Sequence, residues 1–396
     1  MRVMFVDDET QVLKGITRML DCDDVDWDIE TATNGLDALE AMEEEPVDVL
    51  VSDMKMPGMD GAQLLDEVSR LYPDTVRIIL SGQASKDAVY RAVTPMHQFL
   101  AKPCEAGVLR TAVQRACALR EVLDSTTSHK FLGRISSLPS LPTLYEEVIA
   151  ESESENGTVA RVGEIVAQDP AMTAKILQLA NSAIFGVRST ITSPSQAASV
   201  IGMDTLKSLV LTLQVFKSFD GALIPGFSID ELFSHSTRVA TIAQRIAKSE
   251  SLEKGSSNEA FTAGLLHDVG KLILAANAPT EFAEAIADAN ANGISLVEAE
   301  SAKFGLGHDG IGGYLLALWG LPQSIVEAVT FHHQPEQCYG VGLSTPTLVY
   351  IANYLSHEEC GKASDEQTRL CEDLLSQLGV IDRLDDWRSI VCEKEA

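Results

Sequence analysis

Four short apolar runs, each closing on a polar residue, constrain this chain more than any other feature. Met4-Phe-Val6 runs into Asp7 and Asp8, and Val47-Asp-Val-Leu-Val-Ser runs into Asp53. Val76-Arg-Ile-Ile-Leu80 ends on Ser81, and Phe99-Leu-Ala101 ends on Lys102. The runs are rich in β-branched residues and bounded by Pro46, the Pro57-Gly58 turn and Pro103. Such runs read as buried strands. Amphipathic helical patterns fill the gaps between them, and a fifth strand falls near Ile29–Ala32. Strands alternating with helices give a doubly wound parallel α/β sheet. Strands are expected near Val3–Val6, Val47–Ser52, Val76–Leu80 and Phe99–Ala101.

In such a sheet, sites gather at the carboxyl ends of the strands. Asp7, Asp8, Asp53, Ser81 and Lys102 would then meet at one rim. Three clustered carboxylates repel and need a cation, and hard oxygen ligands suit Mg²⁺. Lys102 and Ser81 would face an anion carried on Asp53. A nucleophilic carboxylate, a metal and a fixed cation are the parts of a phosphoryl-transfer site.

Residues 1 to about 120 resemble the receiver domain of two-component response regulators. The matching pieces are Val6-Asp7-Asp8-Glu9, Asp53-Met-Lys-Met-Pro57-Gly58-Met-Asp60-Gly61, Leu80-Ser81-Gly82 and Lys102-Pro103. The resemblance implies phosphorylation of Asp53 by a sensor histidine kinase. It also implies Mg²⁺ held by Asp8, Asp53 and the Lys55 backbone carbonyl, with Asp7 assisting. Ser81 and Phe99 fall on the family's switch positions. The chain departs from the pattern at Pro95-Met-His97, where many receivers carry Gly-Ala; His97 reads as a surface or half-buried residue without chemistry.

A chain of 396 residues calls for two or three domains, and 45% hydrophobic content is ample for their cores. With 30 basic against 58 acidic residues the net charge is −28, which repels nucleic acid and anionic lipid. Met4-Phe-Val6 follows the first residues with no signal peptide, and no apolar run reaches membrane-spanning length. The seven cysteines are irregularly spaced without a Cys-x-x-Cys pair, as expected of reduced cytoplasmic thiols.

Domain limits read as 1–120, a polar linker within 121–135 (Asp124–Lys130 at its centre), an all-α domain over 136–340, and terminal helices over 341–396. The last helix of the first domain starts near Glu105 and runs toward Leu123. From Leu138-Pro-Ser-Leu-Pro142 strand signals nearly vanish. Asp169-Pro170 reads as a helix cap with Pro at the first helical position, and Met203–Phe216 reads as an apolar helix. Further helices are expected over Leu343–Ser356, Asp365–Leu378 and Leu384–Val391. Three stretches resemble the HDOD module, an output domain related to the HD superfamily. They are Leu138-Pro-Ser-Leu-Pro142, the run from Gln168-Asp-Pro-Ala to Gly186, and Ala198-Ser-Val-Ile-Gly202.

Five histidine positions form an ordered set: His235, His267-Asp268, His308 and His332-His333. Imidazoles and a carboxylate on facing helices can bind a transition metal such as Mn, Fe or Zn. A metal-activated water there could attack a phosphodiester, with Lys271 steadying the phosphate. The order resembles HD-superfamily phosphohydrolases, including the HD-GYP phosphodiesterases of cyclic di-GMP. The chain departs from them in lacking Gly-Tyr-Pro after His333, and in carrying Asn353 where the final aspartate would fall. A metal centre and a helical scaffold with internally bonded histidines both fit the set. His129 and His357 lie outside it and read as surface residues.

The expected function is a cytoplasmic response regulator. A phosphoryl group on Asp53 would switch an HDOD domain acting through a downstream protein, with a cyclic di-GMP enzyme and a second copy of the chain as candidate partners. The alternative is a phosphorylation-gated, metal-dependent phosphohydrolase or cyclic-nucleotide sensor.

Overall fold

The computed structural model describes residues 1–21, 27–82, 96–104, 107–114, 139–140, 142–154, 156–182, 185, 190–203, 205–206, 217–218, 224–252, 255–337, 343–359 and 372–392. The N-terminal unit is built on β1 (Arg2–Val6), β2 (Asp28–Ala32), β3 (Val49–Ser52), β4 (Val76–Ser81) and β5 (Gln98–Ala101). They form one parallel sheet in the order β2-β1-β3-β4-β5. Helices α1 (Thr10–Asp21), α2 (Gly35–Glu44) and α3 (Gly61–Leu71) connect them. The central strands β3 and β4 are buried at every position. That is why they read as continuous apolar runs rather than alternating ones.

β3 starts at Val49 rather than Val47. Val47 is buried but follows Pro46, and Asp48 is occupied with β1: the Arg2 amide donates to its carboxylate at 2.8 Å. Helical residues run over 107–114, but the expected continuation to Leu123 and the linker around Asp124–Lys130 lie outside the described residues. So does most of the helix expected over Met203–Phe216.

The second unit is mainly helical. It comprises α4 (Pro142–Glu153), α5 (Val159–Val166), α6 (Pro170–Ala180), α7 (Pro194–Ile201), α8 (Ile229–Ser249), α9 (Ser256–Leu266) and α10 (Val269–Asn277). It continues with α11 (Pro279–Asn292), α12 (Leu296–Phe304), α13 (His308–Leu318), α14 (Gln323–Thr330), α15 (Thr345–Glu359), α16 (Glu372–Gln377) and α17 (Leu384–Cys392). Asp169 caps α6 as expected, accepting from the Met172 amide at 3.0 Å. Two strand pieces, β6 (Pro139–Ser140) and β7 (Lys217–Ser218), pair in parallel; two residues are too few to leave a periodic signal. Of the helix expected over Asp365–Leu378, the described part is α16. α17 extends one residue beyond the expected Val391.

The two units meet at the amino end of β5. His97, just before β5, is 3% exposed, which corrects its reading as a surface residue. The Arg77 amide donates to His97 Nδ1 at 3.0 Å, and the Arg77 guanidinium lies 3.0 Å from Nε2. From the helical unit, Gln178 on α6 donates to the His97 carbonyl at 2.9 Å. On the same helix the Lys175 ammonium stands 4.7 Å above the Trp319 ring, in the loop joining α13 to α14. The adjacent Gly320 has φ +71 and faces the Gln98 side chain. Burial holds the His97 imidazole well below its ordinary range, and the charges of Arg77 and Lys175 push the same way.

Burial also lowers Lys175, to about 7. Its folded value lies below its unfolded one, so from about pH 7 to about pH 10.5 the unfolded chain binds the extra proton and stability rises with pH. Lys175→Met removes the buried ammonium. Urea unfolding of the full chain is expected to show a gain on the order of a few kcal/mol at pH 7, with the gap to the parent falling by roughly half at pH 9.

Candidate functional site

Parallel strands place their carboxyl ends on one edge, and here that edge collects the expected rim. Asp7 follows β1, Asp53 follows β3, Ser81 closes β4 and Lys102 follows β5. Asp7, Asp53 and Ser81 are buried, whereas Asp8 is exposed. The Asp53 amide donates to the Val6 carbonyl at 2.8 Å and the Lys102 amide to the Ser81 carbonyl at 2.9 Å. Strand pairing therefore continues right to the rim and fixes where these side chains start.

Lys102 is the hinge of the charge balance. Its ammonium donates to Asp53 Oδ1 at 2.6 Å and also to Asp7 Oδ2. Burial alone would lower its pKa, but the hydrogen bonds and charges of Asp53 and Asp7 outweigh that and raise it. The other Asp53 oxygen accepts from the Lys55 amide at 2.6 Å, and Asp7 Oδ1 accepts from the Glu9 amide at 2.9 Å. The loop after Asp53 is anchored by buried Met54 and returns into α3 through a reciprocal Asp60–Gln63 cap. At Gly61 a Cβ would overlap the Asp53 carbonyl, so that close return needs glycine. Phe99 is buried in β5 beside Ile79 of β4.

The donor set at this edge fits a hard divalent cation: Asp7, Asp8 and Asp53 outnumber the single ammonium among them, and Asp8 points to solvent.

The histidine set converges as well, around Asp268. His267 ends α9, Asp268 opens α10, His308 opens α13, His332 and His333 follow α14, and His235 lies on α8. Asp268 Oδ2 is 3.4 Å from His267 Nε2, 3.9 Å from His235 Nε2 and 2.8 Å from Lys271 Nζ. Asp268 Oδ1 is 3.2 Å from His308 Nε2 and 3.6 Å from His332 Nε2. At Gly270 a Cβ would overlap the His308 carbonyl, so glycine lets α10 and α13 close on each other here.

Each inner ring is turned by its far nitrogen. His267 Nδ1 lies 2.7 Å from the Gly264 carbonyl, His332 Nδ1 2.7 Å from the Val329 carbonyl, and His308 Nδ1 2.6 Å from buried Glu300. A carbonyl can only accept, so Nδ1 of His267 and His332 carries the proton and Nε2 offers a lone pair inward. His267 Nε2, His332 Nε2 and Asp268 Oδ1 are enclosed and make no hydrogen bond; the 3.2 Å approach of His308 to Asp268 lacks the direction for one. Burial penalises the Asp268 charge, yet His267, Lys271 and His308 beside it hold the carboxyl well below its usual range. His308 is raised to about 9, because Glu300 and Asp268 overcome the effect of burial.

Orphaned buried nitrogens facing a carboxylate fit a metal ion better than they fit a satisfied core. The donors fall into two triads, His235/His267/Asp268 and His308/His332/His333, with the ligand atoms of each within 4.8 Å of one another. The Asn353 side-chain oxygen is likewise buried and makes no hydrogen bond. The cluster opens on a cleft of about 1360 Å³, whose walls include Arg238, Lys271, Tyr350 and His357. His357 thus belongs beside the cluster, contrary to its reading as a bystander: its ring centroid is 4.8 Å from that of His235. His129 lies outside the described residues. Glu300 and His357 were not singled out from sequence.

Comparison with known proteins agrees with this division. Residues 3–114 match the response regulator receiver domain and residues 138–335 match the HDOD domain. The chain belongs to the HDOD family. Its receiver makes it a response regulator, and a receiver implies in general Mg²⁺ binding and a histidine kinase partner. The luminescence regulatory protein LuxO of Vibrio campbellii is 29% identical over 133 residues, 32% of this chain and 29% of that protein. An uncharacterized protein of Treponema pallidum is 24% identical over 203 residues, 50% of this chain and 38% of that one. The chain thus spans well under half the length of these curated relatives. Among solved structures, the MmoQ response regulator of Methylococcus capsulatus shares the fold at 23% identity and TM-score 0.50, over 64% of this chain and 98% of that one. A virulence factor of Campylobacter jejuni does so at 20% identity and TM-score 0.51, over 68% and 99%. Among the described residues no helix is long and apolar enough to cross a membrane.

Lys102→Met would leave Asp7 and Asp53 facing each other without their shared cation. Denaturant unfolding at pH 7 is expected to show a loss of about 1–3 kcal/mol. Millimolar Mg²⁺ should return part of that loss.

Proposed function

We propose that this response regulator accepts a phosphoryl group on Asp53 from a histidine kinase and passes the change through β4 and β5 to its HDOD domain, which acts by protein interaction. The observation that carries the reading is the Lys102 ammonium shared between Asp53 and Asp7 at the strand ends. An Asp53 oxygen attacks phosphorus in line, a P–O bond forms, the P–N bond to the kinase imidazole breaks, and its electron pair stays on that ring. Asp8, Asp53 and the Lys55 carbonyl would hold Mg²⁺, with Asp7 beside them; when bound it neutralises charge on the transferring group. Lys102 then has a new anion to face, and the Ser81 hydroxyl lies on the adjoining strand to meet it. β5 runs back from that rim to His97 and Gln98, which meet α6 and the α13–α14 loop, so a shift at the rim would travel the length of the strand to reach the helical domain.

The test is mass spectrometry of the full chain after incubation with acetyl phosphate and Mg²⁺. The parent is expected to gain one phosphoryl group and Asp53→Asn none. A parent of unaltered mass would overturn the reading.

A second reading is favoured by the enclosed, unbonded His267 Nε2, His332 Nε2 and Asp268 Oδ1. In it the HDOD domain holds a transition metal and hydrolyses, or binds without cleaving, a phosphodiester such as a cyclic dinucleotide. His235, His267 and Asp268 would hold one ion, and His308, His332 and His333 a second, with Asp268 between them. Such an ion supplies Lewis-acid polarisation of a phosphoryl oxygen. Lys271, already oriented by Asp268, and Arg238 line the cleft where the phosphate would lie. Asn353 in place of an aspartate, and the missing Gly-Tyr-Pro, weigh toward binding without turnover. Metal analysis of the purified chain is expected to find metal in the parent and at least tenfold less in His267→Ala. Assays with cyclic di-GMP and added Mn²⁺, by turnover and by calorimetry, then separate cleavage from binding.

A further inference from the structure

Glu300 is fully buried, a carboxylate on the inward stripe of α12 that also carries Ala299 and Phe304. Burying such a group is costly unless it is paired. Among the described residues every hydrogen bond of its side chain goes to one residue. Its Oε2 accepts from the His308 amide at 2.7 Å and stands 2.6 Å from His308 Nδ1, while its Oε1 is enclosed without a partner. The amide contact alone would tie α12 to the start of α13. The ring contact does more, because it sets His308 with Nε2 inside the cluster, 3.2 Å from Asp268 Oδ1 and 3.1 Å from His333 Nε2. Ligand atoms bonded at about 2.0–2.1 Å to a tetrahedral ion stand roughly 3.3 Å apart. His267 and His332 are turned by neutral carbonyls of the helices they follow. Of these three rings, His308 alone is turned by a carboxylate, and that carboxylate comes from another helix.

We propose that Glu300 is a positioning residue of the metal centre, acting through His308 to strengthen that ring as a ligand on the His308/His332/His333 side. The inference rests on the metal reading above and deepens it. A carboxylate behind an imidazole fixes the ring's orientation and makes it a better electron donor to the ion. Among the six donors only Asp268 is a carboxylate. Glu300 adds a further negative charge from the layer behind, without occupying a coordination position.

The test uses the full chain, stripped with chelator and titrated with Co²⁺, with circular dichroism as the check of folding. Affinity is read from the visible absorption, and imidazole N–H protons from the hyperfine-shifted, exchangeable signals in proton NMR. Glu300→Gln keeps an oxygen for both His308 donors and removes the charge. It is expected to weaken one Co²⁺ step by about tenfold and to move one N–H signal while the others stay in place. Introduced into His308→Gln, the same change is expected to cost no further affinity, because the two residues act as one unit. Glu300→Asp, which draws the charge back from the ring, takes the place of the glutamine variant should that one unfold, with the same expected direction. A folded variant with unchanged affinity and signals would overturn the role of Glu300 and leave the metal reading standing. So would an equal loss with His308 already replaced. A parent that binds no Co²⁺ would overturn the metal reading, and this inference with it.

Discussion

A single ammonium between two carboxylates governs the receiver half. Lys102 reaches Asp53 from the strand next but one and Asp7 from one strand further, and both carboxylates are otherwise buried. Without it their two negative charges would face each other unbalanced. The arrangement is balanced yet incomplete: each acid keeps one oxygen tied by a backbone amide, and Asp8 stands in solvent alongside. A site organised this way holds its side chains in place before any reaction and has negative charge to spare for a cation.

The helical half inverts that balance. Around Asp268 stand imidazoles rather than carboxylates, and the nearest cation, Lys271, already bonds to it. The outer nitrogens of His267 and His332 are spent on backbone carbonyls and that of His308 on Glu300; the inner nitrogens of His267 and His332 make no hydrogen bond, while that of His308 meets His333 Nε2 at 3.1 Å. Such orientation from behind is costly to assemble in a plain core, where an orphaned polar atom destabilises.

How much of this was legible beforehand depended on whether the signal was local. The strands were legible because each apolar run is punctuated by Pro, Gly or a polar stop, and the rim because parallel strands share an edge. The order of His235, His267, Asp268, His308, His332 and His333 likewise survives in the linear chain. Glu300 does not stand out: it is one of two glutamates in α12, and only folding separates it, fully buried, from Glu298 at the solvent-facing cap. His97 and His357 were misread for the same reason. A lone histidine carries no period, and what surrounds these two comes from segments about eighty and one hundred and twenty residues away.

The seam between the halves joins both sites. α13 begins at His308 and α14 leads into His332, while the loop between these helices carries Trp319 and Gly320 against Lys175 and Gln98. Beside that loop a guanidinium, an imidazole and an ammonium are all buried. Arg77, His97 and Lys175 are electrostatically joined there, so a change at one alters the surroundings of the others. A foreign receiver grafted onto these helices would have to bring a matching surface at the start of its last strand, where Gln178 and Gly320 meet it.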